Sequence, residues 1–315
     1  MKKKLLVIAL GGNAIQNKEE RGTFEEQLSN VTKTMEHIAE LVDNNKYQVT
    51  ITHGNGPQVG IIMIQNAAAA KLTPEMPMYM CGAMSQGQIG YLIGQSLTNI
   101  FKRKKINKTV ATIITQTVVD KNSPGFKNPT KPVGPYYSKK EAEQKMKETG
   151  FVFKEDAGRG WRRVVPSPQP LRIVEIESIR DMVKKGIVVV SVGGGGIPVV
   201  ENKDKLYGVD AVIDKDRGAA LLGENLKADM LIILTAVEKV CLNFGKPNQK
   251  AIDKLNLKEV KKYLQEGHFA EGSMKPKIEA IIAFIEGDHK RQALVTHANT
   301  LKEALVGKNG TLINY

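Results

Sequence analysis

The sequence predicts an α/β protein in which a mainly parallel β-sheet lies between layers of helix. Three observations carry this. Strand-like and helix-like segments alternate along most of the chain. Most strand candidates are near-continuous runs of Val, Ile and Leu, as parallel strands covered on both faces require. A long proline-rich interruption then marks a smaller unit set into that rhythm.

The first strand is Lys4–Leu10. With the lysines before it this segment resembles the start of a secretory signal. Its apolar run is short, however, and enters Gly11-Gly12-Asn13-Ala14 with no small-residue cleavage pattern, so it reads as a buried strand. Thr23-Phe24-Glu25-Glu26 has the form of a capping box, in which Thr23 and Glu26 bond each other's backbone amides. The helix it opens runs to about Asn44. Strand Gln48–Thr52, helices near Gly56–Ala70 and Ser85–Arg103, and strand Thr109–Thr117 follow.

From about Asp120 to Pro170 the rhythm breaks, with prolines at 124, 129, 132, 135, 166, 168 and 170. Tyr136, Tyr137, Phe151, Phe153 and the sole tryptophan, Trp161, beside Arg159, Arg162 and Arg163, give this stretch something to pack. It reads as a small folded subdomain covering a site. Alternation resumes with helix Ile176–Lys185, strand Ile187–Val192, helix Arg217–Leu226, strand Met230–Thr235, helices Leu257–Gln265 and Lys275–Glu286, and strand Gln292–Thr296.

The 315 residues suffice for one large domain or two closely packed lobes. At 41% hydrophobic and 25% charged, the composition is that of a soluble globular protein. No apolar stretch approaches the roughly 20 residues that span a bilayer, so no membrane segment is expected. Cys81 and Cys241 form no metal or redox motif, which fits a reducing, cytoplasmic setting. The net charge of +13 admits a nucleic-acid binder or a lysine-rich surface on an enzyme that handles anions. Lysines are spread along the chain, and the one tight run, Lys102-Arg103-Lys104-Lys105, follows a helix whose C-terminal dipole suits cations. Nucleic acid is therefore not the expected partner.

Four segments after strands suit anions. Gly11-Gly12-Asn13-Ala14 lets the backbone approach a ligand with its amides turned to negative charge. His53-Gly54-Asn55-Gly56-Pro57-Gln58-Val59-Gly60 leads into a helix N-terminus. Gly193-Gly194-Gly195-Gly196-Ile197-Pro198 is the third. Any one alone is equally a tight strand-to-helix turn, but three at strand carboxyl ends match the ligand edge of an open α/β sheet. The fourth, Asp210 to Arg217, is either a solvated helix start or a phosphoryl site. In the second reading Lys215 meets the moving oxygens, and Asp214 and Asp216 orient it or help hold a metal. No G-x-x-x-x-G-K-[ST] occurs and no G-x-G-x-x-G follows the first strand, which excludes a P-loop NTPase and counts against a dinucleotide dehydrogenase.

Together with Val165-Pro166-Ser167-Pro168-Gln169-Pro170, Val212-Ile213-Asp214-Lys215-Asp216 and Gly272-Ser273-Met274-Lys275-Pro276-Lys277, these strings resemble the carbamate kinases of the amino-acid kinase superfamily. The resemblance runs from residue 5 to the C-terminus. It implies a three-layer αβα sandwich with a mainly parallel central sheet and a small protruding subdomain. It implies an N-terminal lobe, residues 1–225, holding carbamate or carbamoyl phosphate, and a C-terminal lobe, residues 226–315, holding ADP or ATP. Lys131, Lys215, Asp216 and Lys277 would be catalytic. Gly11, Gly12, Asn13, Gly54, Asn55, Gly194 and Gly195 would contact substrate. Asp214, Lys215, Thr235, Ala236, Val237, Met274 and Lys277 would contact nucleotide. Many superfamily members carry a lysine just before the double glycine. Here Ala9-Leu10 stands there, and Lys131 would substitute. No protein metal site is expected, because Mg²⁺ would ride mainly on nucleotide phosphates. The resemblance further implies a homodimer, with the apolar Ala83–Ile100 helix as interface or core, and ATP formation in arginine fermentation. Replacing Lys215 with Ala is expected to cut turnover with little loss of stability. Acetylglutamate kinase and a catalytically silent nucleotide binder are the alternatives.

Overall fold

The computed structural model describes residues 3–17, 19–43, 46–156, 158 and 160–315. Strand β1 (Lys4–Leu10) ends in a 3₁₀ turn at Gly12–Ala14 and is followed by α1 (Phe24–Asp43). The capping box forms: Glu26 N–H donates to Thr23 Oγ1 at 3.3 Å, and Glu26 Oε2 accepts from Thr23 N–H at 2.8 Å. Then come β2 (Tyr47–His53), α2 (Gly56–Ala69), α3 (Met78–Lys104), β3 (Val110–Thr112) and β4 (Gln116–Val119). The proline-rich stretch folds as α4 (Pro124–Lys127), β5 (Lys131–Tyr137), α5 (Lys139–Thr149), β6 (Phe153–Glu155) and β7 (Trp161–Val165). The chain continues through β8 (Pro170–Ile173), α6 (Ile176–Lys184), β9 (Val188–Val190), β10 (Ile197–Asn202), β11 (Lys205–Gly208) and α7 (Lys215–Leu226). Last are β12 (Met230–Leu234), β13 (Val240–Leu242), β14 (Lys250–Ile252), β15 (Lys254–Asn256), α8 (Leu257–Gln265), α9 (Met274–Glu286), β16 (Gln292–Thr296), α10 (Leu301–Leu305) and β17 (Thr311–Asn314).

The main sheet has eight strands in the order β15-β17-β16-β12-β1-β2-β9-β3, all parallel pairs except β16–β17. Period-two geometry sends successive β1 side chains to opposite faces. Leu5, Val7 and Ala9 join one core cluster with α6, α7, α8 and α9, while Leu6, Ile8 and Leu10 join another with α1 and α3. Both faces are thus covered, giving the expected αβα sandwich. Because β1, β2, β9 and β12 run parallel, the turns after them open on one edge.

A second sheet, β11-β10-β4-β8, adjoins this body. The subdomain is its own antiparallel sheet, β5-β7-β6, with α5 packed on it. It meets the body through a small apolar cluster of Met78, Val133 and Val165, with Met63 and Val212 against it.

Two expectations change. Thr109–Thr117 is two strands in different sheets, because Gln86 intervenes: its Oε1 accepts from Thr115 N–H at 2.8 Å, and Thr115 Oγ1 accepts from Val192 N–H at 3.0 Å. The helix expected from Ser85 begins at Met78, directly after Pro77, whose fixed φ suits a helix entry. Its basic C-terminal run faces α1, where Lys104 meets Glu36 at 3.0 Å. Asn44 and Arg159, named above, lie outside the described residues. No helix among those described is long and apolar enough to cross a membrane.

Candidate active site

Gly11 N–H donates to Leu234 O at 2.9 Å, and Gly54 N–H to Leu10 O at 3.1 Å, so the first two turns are pinned to the carboxyl ends of β12 and β1. The tetraglycine turn after β9 lies against the second of them. Gly194 has φ +65°, and a Cβ there would sit 2.4 Å from Asn55 Nδ2, so only glycine fits. Asn55 in turn donates to Ser85 Oγ at 2.8 Å. Gln86 Nε2 donates to Gly193 O at 3.0 Å and to Thr115 O at 3.1 Å, tying the turn to α3.

His53 is buried beside this turn, and its Nδ1 lies 2.9 Å from Gly54 O. A carbonyl only accepts, so Nδ1 carries the proton. Burial pushes the imidazole down to about 4, with the Gly54 carbonyl opposing, which leaves the ring neutral at physiological pH.

Opposite these turns stands α7. Asp214 caps it, its Oδ1 accepting from Asp216 N–H at 2.9 Å. Lys215 follows, and its Cδ packs 3.0 Å from where a Cβ on Gly54 would project. Asp216 is 2% exposed and bridges two cations. Lys215 Nζ donates to Oδ1 at 2.5 Å, and Lys277 Nζ, from the first turn of α9, donates to Oδ2 at 3.1 Å. Burial alone would raise the Asp216 carboxyl, but the two ammonium groups outweigh it and hold the acid below the ordinary carboxylate value. Lys131, at the start of β5, reaches from the subdomain to within 3.7 Å of Asp214 Oδ2. Three lysines distant in sequence thus converge on two neighbouring carboxylates.

A cleft of about 350 Å³ joins Gly11, Gly12 and Asn13 to Lys215, Thr235, Ala236 and Lys277. Lys131 and Asp214 line a second cleft of about 350 Å³. Other expected residues stand elsewhere. Gly54, Asn55, Gly194 and Gly195 are not among the residues lining these two clefts; Gly194 packs on Asn55 and Gly195 on Ile213. Met274 packs against the core cluster under α9, and Val237 is half-buried outside both clefts. Conversely, Asn30, Lys33 and His297 line the first cleft without having drawn notice in the sequence. They sit on α1 and after β16, in no recognisable motif. Among the described residues no group of three His, Cys, Asp or Glu side chains could hold a metal ion. Asp216 is committed to two lysines, and the carboxylates that line the second cleft are Asp214, Glu271 and Glu279.

Comparison with known proteins agrees with this fold. Residues 4–297 match the model of the amino acid kinase family. The carbamate kinase of Thermococcus kodakarensis is 50% identical over 312 residues, covering 98% of this chain and 99% of that one. That of Clostridium perfringens is 49% identical over 311 residues, with 98% and 99% covered. The structure of Giardia lamblia carbamate kinase bound to AMP-PNP superposes with a TM-score of 0.95 at 43% identity, covering 99% of this chain and 98% of that one.

Proposed function

Because the chain belongs to the amino acid kinase family, and within it to the carbamate kinases, we propose that this enzyme moves a phosphoryl group between carbamoyl phosphate and ADP. The observation that carries the reading is the buried Asp216 carboxylate shared by Lys215 and Lys277, the two lysines that line one cleft with the Gly11-Gly12 turn.

In the forward step an oxygen of the ADP β-phosphate attacks phosphorus. The bond from phosphorus to the carbamoyl oxygen breaks, and its electron pair leaves with carbamate, which decays to ammonia and carbon dioxide. Both nucleophile and leaving group are anions, so no general base is required, and catalysis rests on alignment and charge. Two ammonium groups sharing one carboxylate leave a net positive charge for the phosphoryl oxygens. Asp216 fixes both cations before substrate arrives, so little reorganisation is needed during transfer. Lys131, 40% exposed on the subdomain, is suited to closing on the phosphoryl group from the far side. The Gly11, Gly12 and Gly54 amides add fixed dipoles, and Asn13 and Asn55 frame the acyl end. Thr235 and Ala236, which line the first cleft, stand on the nucleotide side of this reading, while Val237 and Met274 would contribute from outside both clefts, with residues 1–225 holding the acyl phosphate and 226–315 the nucleotide.

The nucleotide would enter as its magnesium complex, the ion held mainly by phosphate oxygens and water and neutralising phosphate charge there, and Asp214 could help hold it. The same reading includes ATP formation as the working direction, in arginine breakdown, and a cytoplasmic location suited to the free thiols of Cys81 and Cys241. It also includes a homodimer. The exposed α3 face of Met80, Met84 and Tyr91 supports that assembly.

The test is ATP formation from ADP, Mg²⁺ and carbamoyl phosphate, with acetyl phosphate and acetylglutamyl phosphate alongside. Rapid turnover of carbamoyl phosphate alone is expected. Preference for another acyl phosphate would move the function to a relative, and nucleotide binding without turnover would make the chain a silent binder.

A further inference from the structure

Away from the lysine cluster, a cavity of about 360 Å³ opens between α2, the loop entering α3, and the subdomain. Met63 and Met76 form part of its body wall, and Tyr137, Phe151 and Phe153 its subdomain wall. Arg163 of β7 crosses between the two, donating to Asp210 Oδ2 at 2.6 Å while lying 3.5 Å from the Phe151 ring centre. Lys145 Nζ stands 5.1 Å from the Tyr137 ring centre. These aromatic faces therefore already draw cations.

The hydrogen-bonding capacity left on the acids is unspent. Asp210 lines the cavity, and its Oδ1 is buried without a hydrogen-bond partner, which is rare in a folded protein. Glu75, at the rim, enters no ion pair among the described residues. Its charge is felt on both sides. After burial, Glu75 and then Glu141 push the Tyr137 hydroxyl up, and after burial, Asp210 with Glu75 pushes up the Cys81 thiol. The lining balances two cations against two acids, but Arg163 is held by Asp210 Oδ2 and the Phe151 ring and Lys145 lies near the Tyr137 ring, so the polar groups left open are the acceptors Asp210 Oδ1 and Glu75.

We propose that this cavity is a second ligand site, separate from the phosphoryl clefts, for a small organic cation: an ammonium or guanidinium group on an apolar body. The charged head donates to Asp210 Oδ1 and Glu75, and the body lies among the thioethers and rings. Bound there, the ligand bridges body and subdomain, adding to the small cluster around Met78 and Val133 and the Arg163–Asp210 and Lys131–Asp214 pairs through which they meet.

The probes are 2-phenylethylammonium and benzamidinium, with 2-phenylethanol and 3-phenylpropionate as neutral and anionic counterparts. Trp161, the single tryptophan, pairs with Tyr137 in the β5–β7 ladder, so its fluorescence reports on the cavity wall. Calorimetry gives the affinity without reference to turnover. Saturable binding of at least one cation is expected, with the neutral and anionic probes weaker by about tenfold or more. Glu75→Gln should weaken the cation by roughly tenfold. Ala67→Leu, which fills the cavity from α2, should abolish binding while the protein stays folded. Saturating ADP should leave binding unchanged. The proposal is overturned if neither cation binds, if the three charge types bind alike, if both variants bind as the parent does, or if ADP displaces the probe.

Discussion

Asp216 decides how the site behaves residue by residue. Read as sequence, Lys215→Ala removes a cation and little else. In the fold, Lys215 is one of two partners of a carboxylate that is 2% exposed. Its loss leaves that charge half-compensated, at a cost of about 2 kcal/mol. We therefore expect Lys215→Ala to lower turnover by a factor on the order of 10³ and to lower stability as well, checked by steady-state assay and urea unfolding. A variant that turns over near the parent rate would remove Lys215 from the chemistry. His53 supplies a pH test. Its folded value is about 4 against an ordinary 6.5, so between those values the unfolded chain binds a proton that the folded chain refuses. Stability from this group is complete above pH 6.5 and drains away as pH falls toward 4. Moving from pH 8 to pH 5 should cost about 2 kcal/mol through His53, a difference that His53→Gln removes. Urea titrations of both proteins at the two pH values measure it. Asp216, held below its ordinary value, works in the same direction at lower pH, since protonating it discards two ion pairs.

At the scale of elements, the tetraglycine turn and α7 are one unit. Gly218 stands in the first turns of α7, where helix propensity favours alanine over glycine by about 1 kcal/mol. Packing reverses that preference, because a Cβ at Gly218 would lie 2.8 Å from Gly195 Cα, with backbone against backbone and no side chain able to yield. Gly218→Ala should thus destabilise by about 1–3 kcal/mol and push Lys215 off its carboxylate, lowering turnover too. Calorimetric melting and the ATP-forming assay check the two halves. A stabilised, fully active variant would show that α7 and the turn move apart freely. Gln86 belongs to the same unit. It holds Gly193 and splits the 109–117 run into two strands, yet in sequence it is one polar residue on a helix.

For the whole molecule, assembly is the open quantity. Met80, Met84 and Tyr91 share one face of α3 and are 42%, 45% and 57% exposed. If that face pairs two copies, Tyr91→Asp should convert a dimer to monomer while leaving the lysine cluster intact, read by light scattering and assay. A parent protein already monomeric at micromolar concentration would refute the pairing. The layered architecture was legible in the chain itself. Two-sided burial demands unbroken apolar strands such as Leu5–Leu10, amphipathic helices demand period 3.6, and glycine turns after strands demand a close backbone approach. The proline-rich subdomain was legible as an interruption for the same reason, since its composition cannot continue a parallel sheet. Local pattern thus determined most of the main-sheet strands and the long helices, the edge where the glycine turns gather, and the family motifs. Only the tertiary structure decided that Asp216 is buried between Lys215 and Lys277, that Lys131 of the subdomain arrives at Asp214, and that Gly194 packs on Asn55. Those relations join residues tens of positions apart. Burial and distance between such residues are set by packing, which no local pattern encodes.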